Sequence, residues 1–235
     1  CNDAEETKEG NILIGYKKGA KLITKNQELI WDFKAEPGQE LFTATQLACG
    51  DYFLGSCAHP ARFITLNEKG EKIQEQNYDL NIERVHAQFR QLTPTENNTL
   101  IIPVFGKGEV IEIDKNNNII KQIKVGGTPF SVKILPDKKW LVACGDAHKF
   151  VIVDPETEKI VQSVYDSDIP EHSLYFVAET HKLKNGNYLF ANWNGHTNDK
   201  SQAKIFELDM ENNVVWTLPP NAEIKNISSI AFIKQ

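Results

Sequence analysis

The chain has 235 residues, of which 40% are hydrophobic, and carries 26 basic against 32 acidic side chains for a net charge of -6. That length carries a full core in one all-β domain, while basic residues scattered without a stripe exclude a nucleic-acid backbone as partner. No apolar run approaches the roughly 18 to 20 residues of a membrane-spanning helix.

The chain begins Cys1-Asn2-Asp3-Ala4-Glu5-Glu6-Thr7-Lys8-Glu9-Gly10. A start at Cys followed by a polar, acidic tail resembles a mature bacterial lipoprotein, and the acidic run resembles the export signal of Bacteroidetes surface lipoproteins. The resemblance implies acyl chains on Cys1, anchoring in a bacterial outer membrane and exposure at the cell surface. Residues 1–10 then read as a solvated, self-repelling tether. The other cysteines are Cys49, Cys57 and Cys144, with no C-x-x-C pair or zinc-like spacing. They are expected to be small buried apolar side chains, with no disulfide framework and no metal.

From residue 11 onward one pattern repeats. Five β-rich runs each follow a turn of Asn, Glu, Lys or Gly, starting at Glu28, Glu71, Asn118, Glu158 and Asn213, spacings of 43, 47, 40 and 55 residues. Each is preceded by another short strand, at 21–24, 62–66, 109–113, 150–153 and 204–208. A period of about 40 to 50 residues is that of a four-stranded propeller blade. First and second strands are expected at 41–48 with 52–58, 85–92 with 98–104, 129–135 with 139–145, and 174–183 with 187–193. Residues 11–33 supply three strands without a first, and Ile227 to Lys234 supply a first without the rest. The predicted fold is an all-β propeller over 11–235, with five four-stranded blades, one closed by both chain ends. Six blades follow only if the longest repeat hides an extra sheet.

The best-formed repeat runs from Lys124 to Ser163. It holds Val125-Gly126 with Pro129, the turn Pro136-Asp137-Lys138-Lys139, and Val151-Ile152-Val153-Asp154 with Thr157. These elements resemble the YVTN-type β-propeller repeat, which implies the same architecture and leaves the ligand unspecified.

First strands of propellers line the central channel and alternate in side-chain direction. Aligned on Leu47, Leu92, Leu135, Leu183 and Ile233, they place Thr43, Gln88, Ser131, Glu179 and Ser229 in one ring and Thr45, Arg90, Lys133, His181 and Ala231 in the next. Glu179 and His181, with Arg90 and Lys133 nearby, are the candidates for acid/base chemistry or for holding an anion. The loops at one face carry His59, His86, His148 with Asp146, Glu171 with His172, and Asn192-Trp193-Asn194-Gly195-His196. A Trp ring flanked by amides and imidazoles suits a sugar. Trp31 and Trp216 are expected to pack between blades, and Trp140 to begin a second strand.

Two functions follow. One is a non-catalytic surface lipoprotein that binds a glycan or a protein partner through the loop face, using His59, His86, Gln88, Arg90, Lys133, His148, His172, Trp193 and His196. The other is a polysaccharide- or small-molecule-acting lyase or hydrolase using Glu179 and His181. Neither calls for a cofactor, and no G-x-S-x-G or H-E-x-x-H signature is present.

Overall fold

In the computed structural model, residues 2–170, 173–196, 203–218, 224 and 226–233 are described. Blade 1 comprises β1 (Asp3–Glu6), β2 (Ile12–Tyr16), β3 (Gly19–Ile23) and β4 (Leu29–Lys34), and blade 2 comprises β5 (Glu40–Gln46), β6 (Tyr52–Cys57), β7 (Ala61–Leu66) and β8 (Lys72–Tyr78). Blade 3 contains β9 (Thr93–Pro94), β10 (Leu100–Val104), β11 (Glu109–Ile113) and β12 (Ile119–Lys124). Blade 4 contains β13 (Ser131–Ile134), β14 (Trp140–Ala143), β15 (Lys149–Asp154) and β16 (Lys159–Tyr165), and blade 5 contains β17 (Val177–Lys182), β18 (Tyr188–Asn192), β19 (Ile205–Leu208) and β20 (Val214–Thr217). The five four-stranded antiparallel sheets form a β-propeller.

One turn recurs between the first and second strands of every blade. Thr7, Leu47, Thr95, Leu135 and Leu183 each donate their N–H to the carbonyl four residues on, at 2.8 to 2.9 Å. Each also accepts from the N–H three residues on, at Gly10, Gly50, Asn98, Lys138 and Gly186. Those five residues have positive φ, from 57° at Asn98 to 103° at Gly50, which is why glycine or asparagine fills four of the five places.

This shared turn corrects three expectations. Residues 3–6, expected within a tether over 1–10, are a paired strand, Asp3 opposite Gly15 and Glu6 opposite Ile12, and blade 1 closes with its own first strand. The carboxylates that made the stretch look solvated are engaged: Asp3 Oδ2 accepts the Ala44 N–H at 3.2 Å, Glu5 accepts the Thr45 hydroxyl at 2.9 Å and the Gln46 N–H, and Glu6 pairs with Lys25 at 2.7 Å. At the other end, the described residues from 226 to 233 form no strand. In blade 3, 85–92 is not a strand either; it begins with a 3-10 turn at Val85–Ala87, and the first strand is the short β9.

The chain divides into two compact units, one of Cys1–Ile102, Glu112–Ile119 and Ala231–Gln235, the other of Pro103–Ile111 and Ile120–Ile230, called units 1 and 2 below. Unit 1 has a core between blades 1 and 2, where Leu13, Leu22, Leu41, Leu54 and Ile64 are nearly inaccessible. Trp31 lies there as expected, edge-on to Tyr52 at 5.1 Å. Unit 2 is centred on Phe150, Tyr188, Phe190 and Phe206, with Phe190 stacked on Phe206 at 5.3 Å, and burying each such ring contributes about 2–3 kcal/mol. Trp140 opens β14 and is buried, whereas Trp216, opposite Glu207, is 45% exposed and packs no core.

The outer strands share an irregularity. Ile30, Ile73, Val161 and Val215 are each the extra residue of a β-bulge against the third strand, left without an opposite number. All four are 43–55% exposed, on outer strands where the regularly paired Leu29 and Ile160 are exposed as well.

Candidate functional site

The shared turn sets a common frame for the first strands. Four residues before it stand Asp3, Thr43, Gln91, Ser131 and Glu179; two before it stand Glu5, Thr45, Thr93, Lys133 and His181. Ser131, Glu179, Lys133 and His181 therefore occupy the expected places. Gln88 and Arg90 do not, since the blade 3 alignment on Leu92 is three residues short, and Asp3 and Glu5 take the places assigned to Ser229 and Ala231. The missed signal was the Thr95-Glu-Asn-Asn98-Thr turn, which matches Leu47-Ala-Cys-Gly50-Asp.

In unit 2, three nitrogens lie close to the Glu179 carboxylate. Lys133 Nζ lies 2.5 Å and His181 Nε2 3.2 Å from Oε1, and the Ile230 N–H donates to Oε2 at 2.7 Å. The Glu179 side chain is 2% exposed, against 37% for Lys133 and 16% for His181. Burial alone would push the carboxyl up, but Lys133 and His181 outweigh it and hold it at about 2. Glu179 is thus a fixed anion near neutrality, neutralised by the cation beside it.

In unit 1, the four expected binding residues are spent on one task. The connector from blade 2 to blade 3 is strapped to blade 2: His59 Nε2 donates to Glu83 O at 2.8 Å, and His86 Nδ1 lies 2.6 Å from Glu40 Oε2. Gln88 clasps the Ala58 backbone at both ends, donating to its carbonyl at 2.7 Å and accepting its N–H at 2.9 Å. Arg90 stacks over Phe42 with Cζ 4.3 Å from the ring centre and donates to Phe89 O at 2.7 Å. Burial pushes its guanidinium down to about 10.

The same device recurs in unit 2. His148 Nδ1 lies 2.6 Å from Leu174 O in the connector to blade 5. Asn192, fully buried, accepts from the Tyr175 and Phe176 N–H groups and donates to Ser173 O and Ala203 O. His172 lies outside the described residues, as does Cys1.

Beside this strap is a loop cluster in unit 2. The Trp193 ring meets Phe176 edge-on at 5.4 Å and His196 at 4.6 Å, and a Cβ at Gly195 would fall 2.1 Å from the indole, so the ring lies on its own loop. His196 Nδ1 lies 3.3 Å from Asp146 Oδ1, and both side chains are well exposed, at 67% and 46%. Thr128 holds the Asp146 backbone through its hydroxyl at 2.8 Å. This arrangement offers a partly exposed aromatic with an imidazole and a carboxylate at its rim.

Cys57 and Cys144 are buried, with burial pushing each thiol up to about 12, whereas Cys49 is exposed, against expectation. Cys49 sits in the β5–β6 turn, where its side chain faces solvent. Among the described residues no group of three or more His, Cys, Asp or Glu is placed to hold a metal ion.

Residues 1–213 match the model of the Mala_s_1-like family, described as Mal s 1 allergenic protein-like. The chain belongs to this family. A solved structure of a protein of unknown function from Bacteroides caccae is 38% identical to this Mala_s_1-like chain, with a TM-score of 0.93 over 100% of this chain and 87% of that one. A streptogramin B lyase is 13% identical, with a TM-score of 0.69 over 97% of this chain and 72% of its own. A catalytically inactive virginiamycin B lyase from Staphylococcus aureus, solved with quinupristin, is 14% identical, with a TM-score of 0.64 over 94% and 70%. At such identities the two lyases share the fold with the Mala_s_1-like chain. No curated protein matches the chain.

Proposed function

We propose that this Mala_s_1-like propeller is a non-catalytic binding protein whose ligand, a glycan, docks at the Asp146–Trp193–His196 cluster. The observation that carries the reading is the state of Glu179. An acid/base catalyst needs a proton affinity near the working pH and room to exchange its proton. Glu179 has its proton affinity at about 2 and its oxygens occupied by Lys133, His181 and the Ile230 N–H. The alternative, a lyase or hydrolase using Glu179 and His181, loses one of its two candidate groups in this way.

Support for a sugar comes from Trp193, fixed by Phe176 and its own loop, with Asp146 and His196 exposed at its rim. A preset ring with polar neighbours fits a pyranose face and its hydroxyls at little ordering cost. A glycan array run with the wild-type protein and Trp193→Ala tests it. Binding to at least one glycan that Trp193→Ala abolishes is expected; no retained glycan overturns the carbohydrate reading and makes a protein the partner.

The proposed address is the bacterial outer membrane, with a lipid on Cys1 and the propeller exposed at the surface. The similarity to a protein from Bacteroides caccae supports a bacterial address; the acidic residues lend the surface anchor little support, because Asp3, Glu5 and Glu6 have partners within the fold. Mass spectrometry of protein extracted from native membranes is expected to show an acylated Cys1, and an unmodified Cys1 removes the anchor.

A further inference from the structure

Two hydroxyls in unit 2, Ser131 Oγ and Thr180 Oγ1, are buried without a hydrogen-bond partner, each on a residue only 1% exposed. In the common turn frame Ser131 stands four residues before the turn of blade 4, and Thr180 three before that of blade 5. Elsewhere these two positions meet. Asp3 accepts from the Ala44 N–H at 3.2 Å, and Thr43 Oγ1 accepts from the Leu92 N–H at 2.8 Å. The side chain at the first position therefore points at the next blade, and the residue at the second position lies opposite it. Side chains alternate along a strand, so Thr180, next to Glu179, points back toward blade 4. Ser131 and Thr180 face each other across the seam between β13 and β17.

Thr43 supplies the control. It is also 1% exposed and carries its hydroxyl on Cβ at the position equivalent to Ser131, yet it has two partners, the Leu92 N–H at 2.8 Å and Arg90 O at 2.9 Å. A Cβ hydroxyl is thus long enough to cross a tight seam. At Ser131 the same group bonds neither backbone nor Thr180, although Gly145 and Val177 bond each other in both directions across the same seam. A buried hydroxyl without a partner is destabilising, and natural interiors satisfy such groups with water that makes two to four hydrogen bonds. The charged neighbours are committed, Lys133 to Glu179 at 2.5 Å and Glu179 to Lys133, His181 and Ile230. The guest is therefore neutral and small. We propose that Ser131 and Thr180 form an internal binding site for a single water molecule that joins blade 4 to blade 5.

A crystal structure that shows ordered solvent tests the site directly. One water within about 2.6–3.2 Å of both hydroxyls is expected; hydroxyls bonded to each other, or to other protein atoms, overturn it. A thermal double-mutant cycle with Ser131→Ala and Thr180→Val gives a second reading. Each single change strands the opposite hydroxyl and is expected to lower the midpoint by about 2–4 °C. The double variant leaves nothing stranded and is expected to fall no further than either single one. Additive shifts overturn the bridge.

Discussion

Lys133 Nζ reaches from blade 4 to Glu179 Oε1 in blade 5 at 2.5 Å, and places a half-exposed cation on a carboxylate that is 2% exposed. Removing the carboxylate charge leaves Lys133 with water as its alternative partner, so the cost falls below that of a fully buried pair. Glu179→Gln keeps an acceptor for the Ile230 N–H and is expected to cost about 2 kcal/mol. Calorimetry should show a midpoint lower by about 4–8 °C, while glycan binding at Trp193 stays unchanged. A loss of binding equal to that of Trp193→Ala would return Glu179 to the site.

The same carboxylate sets a pH dependence. Its folded value of about 2 lies below the roughly 4.3 of an unfolded Glu, so its contribution is complete above that unfolded value and disappears as the pH falls through the folded one. The stability gap between wild type and Glu179→Gln is therefore expected to be constant from pH 5 to 8 and to close between about pH 4 and 2. Urea titrations at pH 7, 4 and 3 measure it, and a gap that closes near neutrality contradicts a fixed anion.

The strap on blade 2 predicts a contrast between two neighbours. Gln88→Ala strands the N–H and C=O of Ala58, both buried, at about 1–3 kcal/mol for each group. His86→Ala removes an ion pair whose imidazole is 47% exposed, and should cost under about 1 kcal/mol. Equal losses in chemical denaturation would show that the connector is held by the histidine instead.

Thiol titration separates the cysteines. In a Cys1→Ser variant, one thiol, Cys49, is expected to react rapidly under native conditions. Cys57 and Cys144, both buried and pushed up to about 12, should react only in denaturant. Three fast thiols would contradict the packing around β6 and β14.

The fold was legible because the last three strands of every repeat announce themselves by apolar alternation and by turns at fixed intervals. Two first strands were not. In β1 the side chains that alternate are Asp3, Glu5 and Ala4, Glu6, so its period carries no hydrophobic contrast, and its carboxylates find amide and amine partners that lie about 20 to 40 residues away. In blade 3 the apolar run Val85 to Leu92 looked more strand-like than Thr93–Pro94, yet its residues are drawn onto blade 2 by His86, Gln88 and Arg90. The candidate site was legible only by residue type. Glu179, Lys133 and His181 were placed together by strand periodicity alone. The roles of His59, Gln88 and His148 depend on backbone groups 24 to 30 residues away and that of His86 on a carboxylate 46 residues away, which no local pattern encodes.

The bulges at Ile30, Ile73, Val161 and Val215 bear on how the protein behaves in a crowded solution. An outer strand is an open template, and an added strand must match its donors and acceptors at a regular step along its whole length. One surplus residue throws that step out after two or three bonds, so another molecule's strand can begin to dock but cannot continue. The aliphatic side chains left in solvent at these points are accordingly the visible cost of an edge that refuses polymerisation, and replacing them with polar residues should leave the protein as dispersed as before.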